Sequence, residues 1–111
     1  VFLGHTLVVP VSHVATLPDL PVAEVGPFFE RVQHLAAAVR DGMDAQGTFV
    51  AVNNQVSQSV PHLHVHVVPR TKGDGLRGFF WPRTRYDDEV QAADAAQRVA
   101  QALAERLSPP G

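Results

Sequence analysis

Ten consecutive residues, Pro61-His62-Leu63-His64-Val65-His66-Val67-Val68-Pro69-Arg70, constrain this chain more than any other feature. Side chains of an extended strand point alternately to its two faces. His62, His64 and His66 therefore share one face, and Leu63, Val65 and Val67 share the other. The apolar row is of core quality, so one face of a sheet packs on an interior while the other carries three imidazoles. Such a row is costly unless water, a phosphate or a metal satisfies it. The segment reads as a site built on a strand.

The remaining pattern surrounds that strand with an α+β domain. Thr6-Leu7-Val8-Val9-Pro10 is β-branched and closed by proline, the mark of a short strand. Val22, Val25, Phe29, Val32, Ala36 and Val39 recur every three or four residues, as on an amphipathic helix. Asp19 is placed to cap that helix and Gly42 to stop it. Gly47 to Asn53 reads as a second strand, and 53–59 as a polar connection short enough for a hairpin with a functional loop. Residues 71–86 mix glycine, proline, basic and aromatic residues and read as an ordered loop. Asp87-Asp88-Glu89 then places negative charge at a helix N-terminus. The Ala-rich run to Leu107 continues as a packing helix, with Ala96, Val99, Leu103 and Leu107 on one stripe. The expectation is a single domain over 1–108, with an antiparallel sheet, one long helix, a C-terminal helix and a tail at 109–111.

Composition removes whole classes of chemistry. With 111 residues the chain suffices for one modest core. Its lack of cysteine excludes disulfide frameworks, thiolate metal sites and cysteine nucleophiles, and fits a reducing, cytoplasmic compartment. A formal net charge of −2 gives no general reason to expect a nucleic-acid or membrane surface. No apolar run resembles a membrane span or a signal peptide. Val1 is not an initiating methionine and strand-like sequence begins almost at once, so further residues are expected upstream.

Three readings compete for the histidine row. Solvent-facing histidines placed by chance fit poorly with so well patterned a strand. A metal could join neighbours about 7 Å apart along a strand, but His62 and His66 lie roughly 13 Å apart, too far to share one ion easily. A metal site using two of the three would need another ligand, for which His13 is the best candidate. The third reading is phosphate chemistry with a histidine nucleophile. Neutral imidazole attacks phosphorus well and departs well, turning one displacement into two, while flanking imidazoles donate to phosphate oxygens. This reading accounts for most of the pattern.

The row His62-Leu63-His64-Val65-His66-Val67-Val68 resembles the histidine-triad (HIT) signature, in which histidines alternate with apolar residues, at every position. Gly4-His5-Thr6-Leu7-Val8-Val9-Pro10 followed by His13 is similar to the family's upstream strand and additional active-site histidine. Asn53 and Gln58-Ser59-Val60 resemble its phosphate-contacting loop. The resemblance implies a HIT-like antiparallel sheet and nucleotidyl transfer from a dinucleoside polyphosphate or nucleoside phosphoramidate. His64 would become nucleotidylated, and water would release a nucleoside monophosphate. His62 and His66 would orient it and bind non-bridging oxygens, and His13 would complete the cluster. Asn53, Gln58 and Ser59 would hold phosphate oxygens, with Ser59 near the leaving group. The implied substrate is an adenine-containing nucleotide and the implied assembly a homodimer. No metal is required, although Mg2+ would suit a polyphosphate substrate.

Two departures are visible. Val56-Ser57 stand where the family often carries glycines, and His66 separates the chain from the glutamine-bearing transferase and phosphorylase branches, towards the hydrolases. The rivals are a nucleotide-binding module with little turnover and a His-rich metal-binding protein. Elsewhere, His5 reads as a structural histidine among apolar neighbours and His34 as a surface residue. Arg70 suits a phosphate or a structural ion pair equally. Lys72, Arg77, Arg83 and Arg85 around Phe79-Phe80-Trp81-Tyr86 suit a loop pinned by its aromatics or one that covers a nucleotide.

Overall fold

The computed structural model describes residues 3–76 and 85–108. The chain divides after Leu76 into two compact units.

In the first unit, β1 (Thr6–Val8), α1 (Val22–Gly42), β2 (Gly47–Ala51) and β3 (Val65–Arg70) form a three-stranded sheet with a helix packed on it. The strand order is β1-β3-β2, and both pairings are antiparallel. β3 is thus the central strand. Thr6 stands opposite Val67 and Val8 opposite Val65, while Leu7 and Ala51 both stand opposite His66. Cross-strand neighbours share a face. Val8, Val65 and Val67 therefore lie on the core side, packed with Leu20, Leu63 and the α1 residues Phe28, Val32 and Val39. Leu63, Val65 and Val67 have at most 1 % of their surface exposed, whereas the three intervening histidines are half-buried. Apolar surface removed from water drives this arrangement.

The regular strand begins only at Val65; His62, Leu63 and His64 form an extended lead-in that keeps the alternation. The hairpin connection consequently runs from Val52 to His64, longer than the polar stretch suggests. On α1, Val32 and Val39 of the expected stripe are buried and Val25, Phe29 and Ala36 pack against the core; Phe28 joins them in the core, and Val22 alone of the stripe is exposed.

Both α1 ends differ from the sequence expectation. Pro21 occupies the N-cap position, with no side-chain cap. Asp19 instead accepts from Thr16 Oγ1 at 2.7 Å inside a short 3-10 turn, Leu17–Asp19. Proline preceded by that turn starts the helix without a carboxylate. At the other end Gly42 remains helical. The left-handed residue is Asp44 (φ 51°), with Ala45 N–H bonded to Arg40 O at 2.8 Å and Asp44 N–H to Asp41 O at 3.2 Å. This pair of bonds is a Schellman motif, and aspartate tolerates the conformation better than most side chains. Gly4 has φ 83°, and a Cβ placed there would lie 2.6 Å from Met43 Cγ, so glycine is required on both counts.

The second unit contains α2 (Glu89–Leu107). Asp88 caps it through a 2.8 Å bond from Gln91 N–H, as its acidic start predicts. None of its residues is buried, so the Ala96-Val99-Leu103-Leu107 stripe makes no core among the described residues. The stretch 77–84, with Arg77, Phe79, Phe80, Trp81 and Arg83, lies outside the described residues, as does the tail.

Candidate functional site

Strand pairing gathers the histidines. His66 projects from the central strand opposite Leu7, which brings His5, just before β1, within reach of it. His5 Nε2 and His66 Nδ1 are 3.0 Å apart, one donating and the other accepting. The His64 and His66 rings meet edge to face with centroids 5.1 Å apart. His13 meets His62 in the same manner at 4.7 Å. The site thus holds two contiguous histidine groupings, 5-66-64 and 13-62, joined through the backbone.

That join defines the chemistry. His64 Nδ1 lies 2.7 Å from the backbone carbonyl of His62. A carbonyl can only accept, so Nδ1 carries the proton and, in the neutral ring, Nε2 carries the lone pair. The local chain therefore selects the tautomer that presents a nucleophile. His62 is itself fixed: its Nε2 donates to Pro10 O at 3.2 Å. This nitrogen is committed to the backbone, so it orients the residue rather than offering a donor to a phosphate oxygen.

Burial, then the neighbouring His5 and His64, lower the pKa of His66 from its ordinary value of 6.5. Between that lowered value and about 6.5 the unfolded chain binds more protons than the folded one, so stability rises with pH there. The contribution is intact above about pH 6.5 and is lost as pH falls through the folded-state value. Urea midpoints measured from pH 8 to 5 are expected to drop below about pH 6.5. The drop should be smaller in His66→Gln; an equal drop in the variant would assign it to other groups.

The loop residues divide. Gln58 uses both ends of its amide within the protein: Nε2 donates to Ala15 O at 2.5 Å and Oε1 accepts from Gln55 N–H at 2.8 Å. Asn53 Nδ2 reaches Ser57 O at 3.5 Å. Ser59 is exposed, and its hydroxyl makes no hydrogen bond within the described residues. Gln55 and Ser57 adopt φ of 70° and 60° where glycine would be unstrained, which gives physical content to the non-glycine residues in this loop.

Arg70 forms the structural ion pair. Its Nε is 2.7 Å from Asp74 Oδ2, and its Nη2 donates to Asp74 Oδ1 and Leu76 O. The guanidinium, together with the Thr71 and Leu76 N–H groups, holds the Asp74 carboxyl down to about 2. His34 is exposed on α1, 4.0 Å from Glu30. Arg85 and Tyr86 line an open recess of about 680 Å³ with Gln91, Asp94 and Arg98. No three histidine, cysteine or acidic side chains among the described residues are grouped to hold a metal ion. No helix among them is long and apolar enough to cross a membrane.

His5, whose apolar neighbours suit a structural histidine, stands in the cluster against His66. A signal existed in its offset: a histidine one residue before a strand that pairs with the triad strand shares the triad's face.

A three-stranded antiparallel sheet backed by one helix, with imidazoles on its open face, is an α+β arrangement, and comparison with known proteins specifies it. The HIT domain pattern matches residues 2–73. Protein hit of Bacillus subtilis is 34 % identical over 108 residues, covering 95 % of this chain and 72 % of that protein. A solved HIT-family structure from Bacillus subtilis superposes with a TM-score of 0.75 at 31 % identity, covering 96 % of this chain and 75 % of that one. The asymmetrical bis(5'-nucleosyl)-tetraphosphatase of Schizosaccharomyces pombe is 34 % identical over 73 residues, 64 % of this chain but 40 % of that enzyme. The chain belongs to the HIT family.

Proposed function

We propose that this chain is a nucleotide hydrolase or nucleotidyl transferase acting on dinucleoside polyphosphates or nucleoside phosphoramidates through a covalent intermediate on His64. The observation that carries the reading is the 2.7 Å contact between His64 Nδ1 and the His62 carbonyl, which leaves Nε2 as the free nucleophilic atom. The kinship with a bis(5'-nucleosyl)-tetraphosphatase supports the substrate class.

In the first step the Nε2 lone pair attacks the α-phosphorus, a P–N bond forms, and the bond to the leaving group breaks: a polyphosphate departs as its anion, and an amine departs neutral after its nitrogen takes a proton from solvent. The Nδ1 proton stays on the His62 carbonyl bond, so the nucleotidylated ring is cationic and a good leaving group. In the second step water attacks the same phosphorus and the P–N bond to Nε2 breaks. The products are a nucleoside monophosphate and a released proton. With His5 Nε2–H donating to His66 Nδ1, His66 presents Nε2–H to a non-bridging oxygen. Ser59 lies in the loop that meets the leaving group, and Asn53 offers a further donor. The reaction uses only protein groups and water; Mg2+ accompanies a polyphosphate substrate. An adenine-containing substrate, a homodimeric assembly and a cytoplasmic setting complete the proposal.

The test is chemical trapping. A reaction with substrate labelled at the α-phosphorus is quenched within one turnover, and the protein is digested. Label is expected on the peptide bearing His64, stable in alkali and labile in acid, as a phosphorus–nitrogen bond requires. Turnover without any labelled peptide would overturn the covalent route. Tight binding of adenosine monophosphate with no hydrolysis across a substrate panel would instead establish a binding module.

A further inference from the structure

The 10–17 segment and the 54–63 segment run side by side, stitched by four hydrogen bonds. His62 Nε2 donates to Pro10 O at 3.2 Å, and Leu63 N–H to Val14 O at 2.8 Å. Gln58 Nε2 donates to Ala15 O at 2.5 Å, and Leu17 N–H donates to Asn54 Oδ1 at 2.8 Å. Two of the four are made by loop amide side chains. They bind the backbone one and three residues beyond Val14, at the Ala15 carbonyl and the Leu17 N–H.

This strap leads to the nucleophile. Strand pairing on β3 begins at Val65, opposite Val8, so His62 to His64 have no ladder partner of their own. Their backbone position rests on the buried Leu63 side chain, on a local bond from His62 N–H to Val60 O at 2.8 Å and on the strap. The His62 carbonyl selects the His64 tautomer, so whatever fixes residues 62–64 fixes which His64 nitrogen carries the proton.

We infer that Asn54 and Gln58 are positioning residues, whose side-chain amides tie the 54–63 loop to the 15–17 backbone and thereby hold the His62 carbonyl on His64 Nδ1. The sequence places Gln58 on phosphate; its amide is instead committed to Ala15 and Gln55. Asn54 carries no role in the sequence reading. The inference rests on His64 as the nucleophile for its kinetic consequence, but not for its structural one.

The test uses Asn54→Ala, Gln58→Ala and the double variant, with Asn54→Asp as the conservative variant that keeps an acceptor for Leu17 N–H. Two readouts are taken. In the first, imidazole 15N–1H spectra at neutral pH assign the His64 tautomer without any substrate. The wild type is expected to show protonated Nδ1. Each alanine variant should shift the population towards protonated Nε2, and Asn54→Asp should retain the wild-type pattern. In the second, kcat and KM are measured on the substrate that the wild type hydrolyses. Each alanine variant should lower kcat on the order of tenfold with KM changed less than twofold, the scale of losing one hydrogen bond.

A Gln58→Ala variant with raised KM, unchanged kcat and unaltered His64 tautomer would overturn the proposal and make Gln58 a phosphate ligand. Unaltered spectra in both alanine variants would overturn it irrespective of activity. If the wild type hydrolyses nothing, the spectra still decide the positioning role, and only the hydrolase reading fails.

Discussion

Replacing His64 with alanine is expected to lower kcat/KM for a hydrolysed dinucleotide by at least about a thousandfold, because it removes the atom proposed to form the covalent bond. Neighbouring changes should separate by role. On the proposed mechanism His66→Ala removes a donor to a non-bridging oxygen and leaves the nucleophile, so label is still expected to accumulate on His64, more slowly. His62→Ala keeps the backbone carbonyl that accepts from His64 Nδ1 but loses the bond to Pro10 O that fixes it. Its loss should therefore be smaller than that of His64→Ala. Steady-state kinetics on the three variants, with circular dichroism to show that each is folded, check the order. If His64→Ala hydrolyses substrate at the wild-type rate, the nucleophile assignment is wrong, whatever the other two variants do.

The half of this site that lies on one strand was legible because alternation is a local property. Leu63, Val65 and Val67 vanish into the core and the histidines between them do not, as period two demands. His5 was not legible in the same way. It stands 61 residues from His66, and only the pairing of Leu7 with His66 makes them neighbours. Sequence periodicity identifies strands but not which strands pair or in what register. Gln58 shows a second limit. An exposed-looking amide in a polar loop reads as a ligand for something outside the protein, yet its partners are backbone groups 43 residues away and three residues away. The α1 ends show a third: residue preference placed the stop on Gly42, whereas hydrogen bonding carried the helix to Gly42 and placed the left-handed turn at Asp44. Composition names candidates for a cap; the competition among backbone bonds selects one.

Leu63→Ala is expected to cost about 2–5 kcal/mol of folding stability, the range for a buried leucine whose surroundings relax only partly. Leu63 has no exposed surface and sits between two triad histidines, outside the regular strand pairing. Its backbone N–H bonds to Val14, and its side chain shares the core with Val8, Phe28, Val65 and Val67. A domain of this size has roughly 0.05–0.15 kcal/mol of stability per residue, so the loss consumes much of the total. Urea unfolding should show a midpoint well below that of the wild type at nearly unchanged slope. The same change should blunt catalysis before the protein unfolds, because the anchor of the His62-His64 backbone is gone. At a temperature where the variant is still folded, kcat should fall while adenosine monophosphate affinity changes little. A variant with wild-type stability would show that the apolar face of the triad strand is not the core, and would remove the reason the histidines face the other way.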